Sequence, residues 1–303
     1  MKYNLRGEET ENKATRVRDK AEHKVISFLR YFIPAMGPLV IYIAAEALMV
    51  VLGSTLIHPK LTHAEFREQK MNLYMMVGVM LTFVLLRAYS KKRSSTFFED
   101  ASLYLKNISV LKTVGCILFG LGVSVALSAF ITLLPKIGPV ATYSATMERL
   151  YHTWSLYVAV LFNTFFTPIV EEVIFRGYML NRLLPHWGEK KSLFAVSLLF
   201  ALMHGTALWM LYAFAMAWVI GRVSIYEDNI YYAICVHMGF NLFSTVLWFI
   251  YLFRPEMKDA LSGNIPLILM LGIFGGAVAM LVSKLYRAER ESLFVTRLFQ
   301  GKV

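Results

Sequence analysis

Apolar residues run along this chain in long blocks, most of them closed by clusters of charge, and the blocks approach the length of a membrane crossing. A crossing takes about 20 apolar residues to traverse roughly 30 Å of hydrocarbon. Eight blocks can be drawn, at approximately residues 32 to 57, 71 to 89, 108 to 135, 154 to 183, 191 to 205, 207 to 226, 229 to 252 and 264 to 286. The boundary that needs argument is LMHGTALW, residues 202 to 209, where two blocks meet almost without a loop. One unbroken helix from 191 to 226 would be about 54 Å long, well beyond a single crossing. A hairpin is therefore expected, with Gly205 ending one helix and Thr206 capping the next. The pattern predicts an all-α fold, a polytopic membrane helix bundle of about eight transmembrane helices.

Ahead of the first block, Val17, Ala21, Val25, Phe28 and Phe32 recur at helical spacing among Arg16, Lys20, Lys24 and Arg30. That arrangement reads either as a helix lying on the membrane surface or as a solvated basic flank, and both readings stay open. The expected organisation is a basic cytoplasmic segment at 1–31, a multi-span membrane domain at 32–290 and a cytoplasmic tail at 291–303. No cleavable signal peptide is expected, because the first thirty residues mix charges of both signs and the apolar block that follows is too long for one.

Composition agrees with the blocks: 57% of the 303 residues are hydrophobic and only 17% charged, too apolar for a soluble domain. The net charge of +11 does not point to nucleic acid, since the basic residues are spread between apolar blocks rather than gathered on one polar face. Instead it orients the bundle. With eight spans and the N-terminus inside, the inside segments hold most of the lysines and arginines, whereas merging 191 to 226 weakens the contrast. Both termini are then cytoplasmic. Cys116 and Cys235 both fall within apolar blocks and are expected to act as small packing residues.

Against this background a few polar groups stand out. PIVEEVIFRG, residues 168 to 177, puts Glu171, Glu172 and Arg176 in an apolar span, where an ionised side chain at the centre costs about 2.5 to 3.5 kcal/mol and normally faces a bundle interior or a wet cavity. Glu172 and Arg176, four apart, share a helix face and can pair. Glu171 is turned about 100° away and lacks that partner. FALMH, 200 to 204, brings His204 to a depth of about 20 Å from Lys191, and HMGFN, 237 to 241, sets His237 and Asn241 on one face about 12 to 18 Å from Asn229. With the glutamates about 20 Å from the end of their own span, three helices deliver polar groups to a common depth.

EEVIFR (171 to 176), FALMH (200 to 204) and HMGFN (237 to 241) together resemble the EExxxR, FxxxH and HxxxN/D motifs of the CPBP intramembrane proteases, which include the type II CAAX prenyl endopeptidases and bacterial proteins linked to bacteriocin maturation and self-immunity. Each motif alone is weak; all three in order are specific. The resemblance covers about 154 to 252 and leaves the first three spans unmatched. It implies peptide-bond hydrolysis inside the membrane at a site reached from the cytoplasm, with a membrane-associated peptide or protein as substrate. The expected setting is a multi-pass protein of a bacterial plasma membrane, with the bilayer and, from the spread of charge, not nucleic acid as its partner.

The residues suit that chemistry. Hydrolysis needs a base for water and donors for the developing oxyanion. Glu171 is free to be the base, His204 to orient or share the water's proton, and His237 with Asn241 to stabilise the oxyanion, while Glu172 and Arg176 hold charge balance. Phe200 is expected to pack around the pocket. A zinc arrangement competes, with Glu171, His204 and His237 as ligands and Glu172 as base; spacing leaves open whether the cofactor is none or zinc. The chain has no HExxH, no aspartate pair within its spans and no GxSG serine. Two other classes remain: a non-catalytic membrane scaffold using the same cavity, and a proton-coupled transporter, which should show repeated halves that are not visible here. Glu46 in the first span either makes a structural hydrogen bond or lines the cavity. Gly272 and Gly276 form a GxxxG that reads chiefly as close helix packing.

Overall fold

The structure is a computed structural model that describes residues 26, 28–105, 108–133, 162–254 and 256–299. Among the described residues every regular element is helical. Helix α1 (Gly37–Leu52) runs into a π-helical turn, Gly53–Ile57, followed by the short α2 (His63–Gln69), α3 (Met71–Lys92) and α4 (Phe97–Asp100). Next come α5 (Val110–Leu133), a π-helical run Phe162–Phe166, α6 (Thr167–Glu172) and a second π-helical run, Val173–Leu180. The chain then forms α7 (Asn181–Leu202), α8 (Ala207–Glu227), α9 (Ile230–Phe253), α10 (Glu256–Gly263) and α11 (Ile265–Phe299).

Among the described residues six stretches are long and apolar enough to cross a membrane: Phe28–Ile57, Leu73–Lys92, Val110–Leu133, Ala207–Glu227, Ile230–Tyr251 and Ile265–Arg287. These coincide with six of the eight expected blocks. Large apolar side chains such as Val110, Ile273 and Leu56 lie on the outside, as they should where lipid replaces water. The other two blocks depart from the expected form. Residues 154–161 of the fourth lie outside the described residues, and the rest, from Phe162 on, is not one α-helix but π, α and π in succession. The fifth begins not at 191 but as part of α7, which contains Pro185 and breaks at Gly188 (φ 71°). Its first half carries Arg182, His186, Glu189, Lys190 and Lys191, so only the part after that is apolar.

The expected hairpin is present. α7 ends at Leu202, Gly205 takes φ 81°, α8 starts at Ala207, and the two helices pack on one another. The cap differs from expectation: Thr206 has the extended N-cap backbone, but its hydroxyl makes no capping hydrogen bond. Of the N-terminal amphipathic positions, Val17, Ala21 and Val25 lie outside the described residues. Phe28 and Phe32 stack on each other at 4.6 Å and on Trp187 beside the Gly188 break, so this part of the pattern meets protein. The loop helices α2 and α4 each open with a full capping box, Thr62 with Glu65 and Thr96 with Glu99. The Thr62 and Thr96 backbone N–H groups hold the Glu65 and Glu99 carboxyls below their usual range.

At the centre lies Val173–Leu180, every residue of which is buried. Helices α1, α7, α8 and α9 contact this run, and at Gly177 a side chain would come within 2.6 Å of the Ala101 carbonyl oxygen. α9 is held from the other side by α5 at near backbone contact: a Cβ on Gly239 would lie 2.1 Å from the Ile117 oxygen, and one on Gly120 1.9 Å from the Val236 oxygen. α11 packs on α5 through Gly275 against Gly122 and Gly272 against Ala129. Of the GxxxG pair, then, Gly272 is a packing residue, whereas a Cβ on Gly276 meets nothing within 4 Å. A Gly239→Val substitution must force α5 and α9 apart, and overpacking of this kind costs about 1–3 kcal/mol or more. Thermal melting of the detergent-solubilised protein should show a clear loss for Gly239→Val and almost none for Gly276→Val; equal melting of the two would contradict this packing.

Candidate active site

The site starts at the junction of α6 and the central π run. Departures from the α-helical repeat are frequent at functional positions, because one extra residue per turn re-aims the side chains that follow. Glu172 ends α6 fully buried, and Arg176, one turn on, is 1% exposed. Arg176 Nη1 donates to Glu172 Oε1 at 2.7 Å, the pair expected from their spacing. Arg176 Nη2 donates to the Ala217 carbonyl of α8 at 2.8 Å, and the guanidinium lies 5.2 Å from the Phe200 ring centre. The charge is thus satisfied from three elements.

Glu172 has a second partner that spacing did not reveal. His237, 2% exposed on α9, places Nδ1 2.8 Å from the same Oε1, so its Nδ1–H donates to the carboxylate. This fixes the ring and turns Nε2 toward Glu171, whose Oε2 is 3.6 Å away. Glu171 differs from its neighbour as the helix geometry predicts: its side chain is 16% exposed and is not the one that pairs with Arg176. A gap of 3.6 Å between a carboxylate oxygen and an imidazole nitrogen is too long for a direct hydrogen bond. It suits a water that contacts both at about 2.8 Å, forming a triangle with them.

His204 is next to this cluster. It sits in the turn just past α7, its Nδ1–H donating back to the Phe200 carbonyl at 2.8 Å, which leaves Nε2 as the acceptor nitrogen. Its ring lies 4.7 Å from Phe200 and 5.1 Å from Trp209, and Phe200 in turn is 6.0 Å from His237. Phe200 therefore packs between the two histidines, as expected. Asn241, one turn beyond His237 and partly exposed, donates one amide N–H to the Asn163 carbonyl at 2.9 Å and retains a second. Together with a Thr164–Thr245 hydrogen bond at 3.1 Å, this ties the Phe162–Phe166 run to α9.

Glu171, Glu172, Arg176 and His237 form one contiguous cluster, flanked by His204 and Asn241. The backbone carbonyls of Ala217 and Asn163 left no trace in the sequence, since a carbonyl is present at every residue. Glu46 takes the hydrogen-bonding one of its two readings. The Tyr42 hydroxyl hydrogen-bonds its carboxylate, and both side chains lie within electrostatic reach of Glu171.

The zinc arrangement that competes with the metal-free one can be tested against the donor chemistry. Both histidines have Nδ1 held by an oxygen acceptor, the outer-shell arrangement that metal-binding imidazoles adopt. Yet among the described residues no three His, Cys, Asp or Glu side chains converge as a ligand set. As arranged, the site does not fit a three-ligand zinc.

The architecture defines a helical multi-pass membrane protein with a buried acid–imidazole cluster among its helices. Residues 153–243 match the family described as type II CAAX prenyl endopeptidase Rce1-like, and so bear out the resemblance over somewhat under a third of the chain. That family is one of peptidases, and the matched stretch contains all six candidate residues. No curated protein and no solved structure matches the chain.

Proposed function

We propose that the protein is an intramembrane endopeptidase of the CAAX type, cleaving a membrane-associated peptide or protein with water activated by Glu171. The observation that carries this reading is the division of labour between adjacent glutamates: Glu172 is spent on Arg176 and His237, while Glu171 faces His237 Nε2 across 3.6 Å. In the proposed reaction, water held by Glu171 and His237 Nε2 gives a proton to the Glu171 carboxylate as its oxygen attacks the scissile carbonyl carbon. The free N–H of Asn241 donates to the resulting oxyanion. Collapse of the tetrahedral intermediate breaks the C–N bond, and Glu171 returns the proton to the leaving amine. His204, whose Nδ1–H is given to the Phe200 carbonyl, offers its Nε2 beside His237 to share the water's one remaining hydrogen. Glu172 is a positioning residue, since it sets the tautomer and orientation of His237.

The decisive comparison is between membrane peptides from cells expressing the wild-type protein and those expressing Glu171→Ala. Peptides that accumulate only with the intact residue identify substrates and show whether they carry a lipid. Identical peptide profiles would favour a non-catalytic role for the cavity.

No step runs through a metal, so purified active protein should contain substoichiometric zinc and keep its activity after chelation. Activity lost on chelation and restored by zinc alone would reverse that. The proposal includes eight crossings with both termini cytoplasmic in a bacterial plasma membrane, supported by the distribution of lysine and arginine. A C-terminal reporter found outside would remove it.

A further inference from the structure

Away from the candidate active site, a cavity of about 250 Å³ lies where the first half of α5, the end of α8, the middle of α11 and the second turn of α9 meet, and it includes none of the six candidate residues. Its wall is apolar, built from Phe119, Val223, Val236 and Val282 with the buried Cys116. The Tyr286 hydroxyl closes on Cys116 Sγ at 3.4 Å and joins α11 to α5. Two guanidinium groups, Arg222 and Arg287, stand among the lining, both exposed. The one carboxylate there, Glu227, is already engaged by Lys112 Nζ at 3.4 Å, and the same ammonium lies 5.2 Å from the Tyr286 ring centre. Arg222 pairs with Glu189, but both side chains are about half exposed, and a surface pair of this kind is worth so little that an anion can replace it.

We propose that this cavity binds an anionic membrane lipid, with part of an acyl chain against the valine and phenylalanine wall and a phosphate oxygen on Arg222 and Arg287. The choice of a lipid over a soluble anion follows from the surroundings. Leu281, Leu285 and Leu118 on the same two helices, α11 and α5, present 59%, 61% and 44% of their surface outward, so the chamber adjoins apolar faces that only hydrocarbon covers comfortably. Arginine rather than lysine at the mouth suits phosphate, which its planar fork can grip through two hydrogen bonds. Arg222 and Arg287 stand near the ends of the apolar spans Ala207–Glu227 and Ile265–Arg287, where their charge matches the sign of anionic headgroups.

The full-length protein in detergent, stripped of lipid, provides the test. Phosphatidylglycerol should raise its melting temperature more than phosphatidylcholine with the same acyl chains, and about one phosphatidylglycerol per protein should survive washing. In the Arg222→Gln/Arg287→Gln double variant, which removes two exposed charges and no core packing, retention should fall at least about tenfold, the size of one lost charge-assisted contact. Inorganic phosphate and glycerol phosphate should reproduce none of the stabilisation. Equal effects of the two lipids, unchanged retention by the double variant, or full stabilisation by phosphate alone would each overturn the assignment. A Glu171→Gln protein should bind the lipid as the wild type does, so the result stands or falls separately from the proposed peptidase activity.

Discussion

Glu171→Gln should leave a folded protein at normal membrane level whose cleavage is close to background. The substitution preserves the shape of a side chain that is 16% exposed, and the Arg176 and His237 Nδ1 contacts both belong to Glu172. Little stability should therefore change. An amide, however, cannot take the proton of the attacking water, and loss of a general base typically slows a reaction by about 10² to 10⁴-fold. Membrane abundance, melting temperature and cleavage of a defined substrate, measured on one preparation, give the expected pattern of two unchanged quantities and one collapsed one.

Glu172→Gln should fail in the opposite order, losing folded protein before any question of turnover arises. Its Oε1 accepts from Arg176 Nη1 at 2.7 Å and from His237 Nδ1 at 2.8 Å, with all three side chains nearly inaccessible. Neutralising the carboxylate leaves a guanidinium in a low-dielectric interior without its adjacent counter-charge, held only by neutral acceptors such as the Ala217 carbonyl and by the Phe200 ring, and breaking a buried pair in this way costs about 3–5 kcal/mol. That is a large share of the roughly 5–15 kcal/mol by which proteins are stable. Replacing both partners with apolar residues of similar size, Glu172→Leu with Arg176→Met, should recover part of the loss, since no stranded charge remains. A well-folded but inactive Glu172→Gln beside a Glu171→Gln that cleaves at nearly wild-type rate would exchange the two roles. Glu172 would then be the base, and the zinc reading would become the better one.

The separation of the two glutamates was legible in the residues alone because it depends only on local helix geometry. Positions four apart share a face and adjacent ones do not, whatever the helix packs against. The same holds for the apolar blocks, which follow from the thickness of hydrocarbon, and for the break at Gly205, where a left-handed backbone suits a residue without Cβ. Gly188 carries the same signal at φ 71°, but its place inside a charged stretch gave no reason to expect a kink within a continuous helix.

What only the tertiary structure decided are the features that depend on a partner distant in sequence. That His237 turns Nδ1 to Glu172 and Nε2 to Glu171 is set by how α9 lies against the central run, and Gly239 and Gly120 let α9 and α5 come into near backbone contact. The π-helical runs at Phe162–Phe166 and Val173–Leu180 were hidden because both are too short to impress their own period on an apolar pattern. Which glycine of the GxxxG faces α5 and which faces outward depends on the rotation of α11 about its axis, and a spacing of four cannot set that rotation. Spacing along one chain determines which groups share a face of one helix; packing determines which faces meet, and in this protein Glu171, Glu172, Arg176 and His237 come together where α6, the central π run and α9 meet.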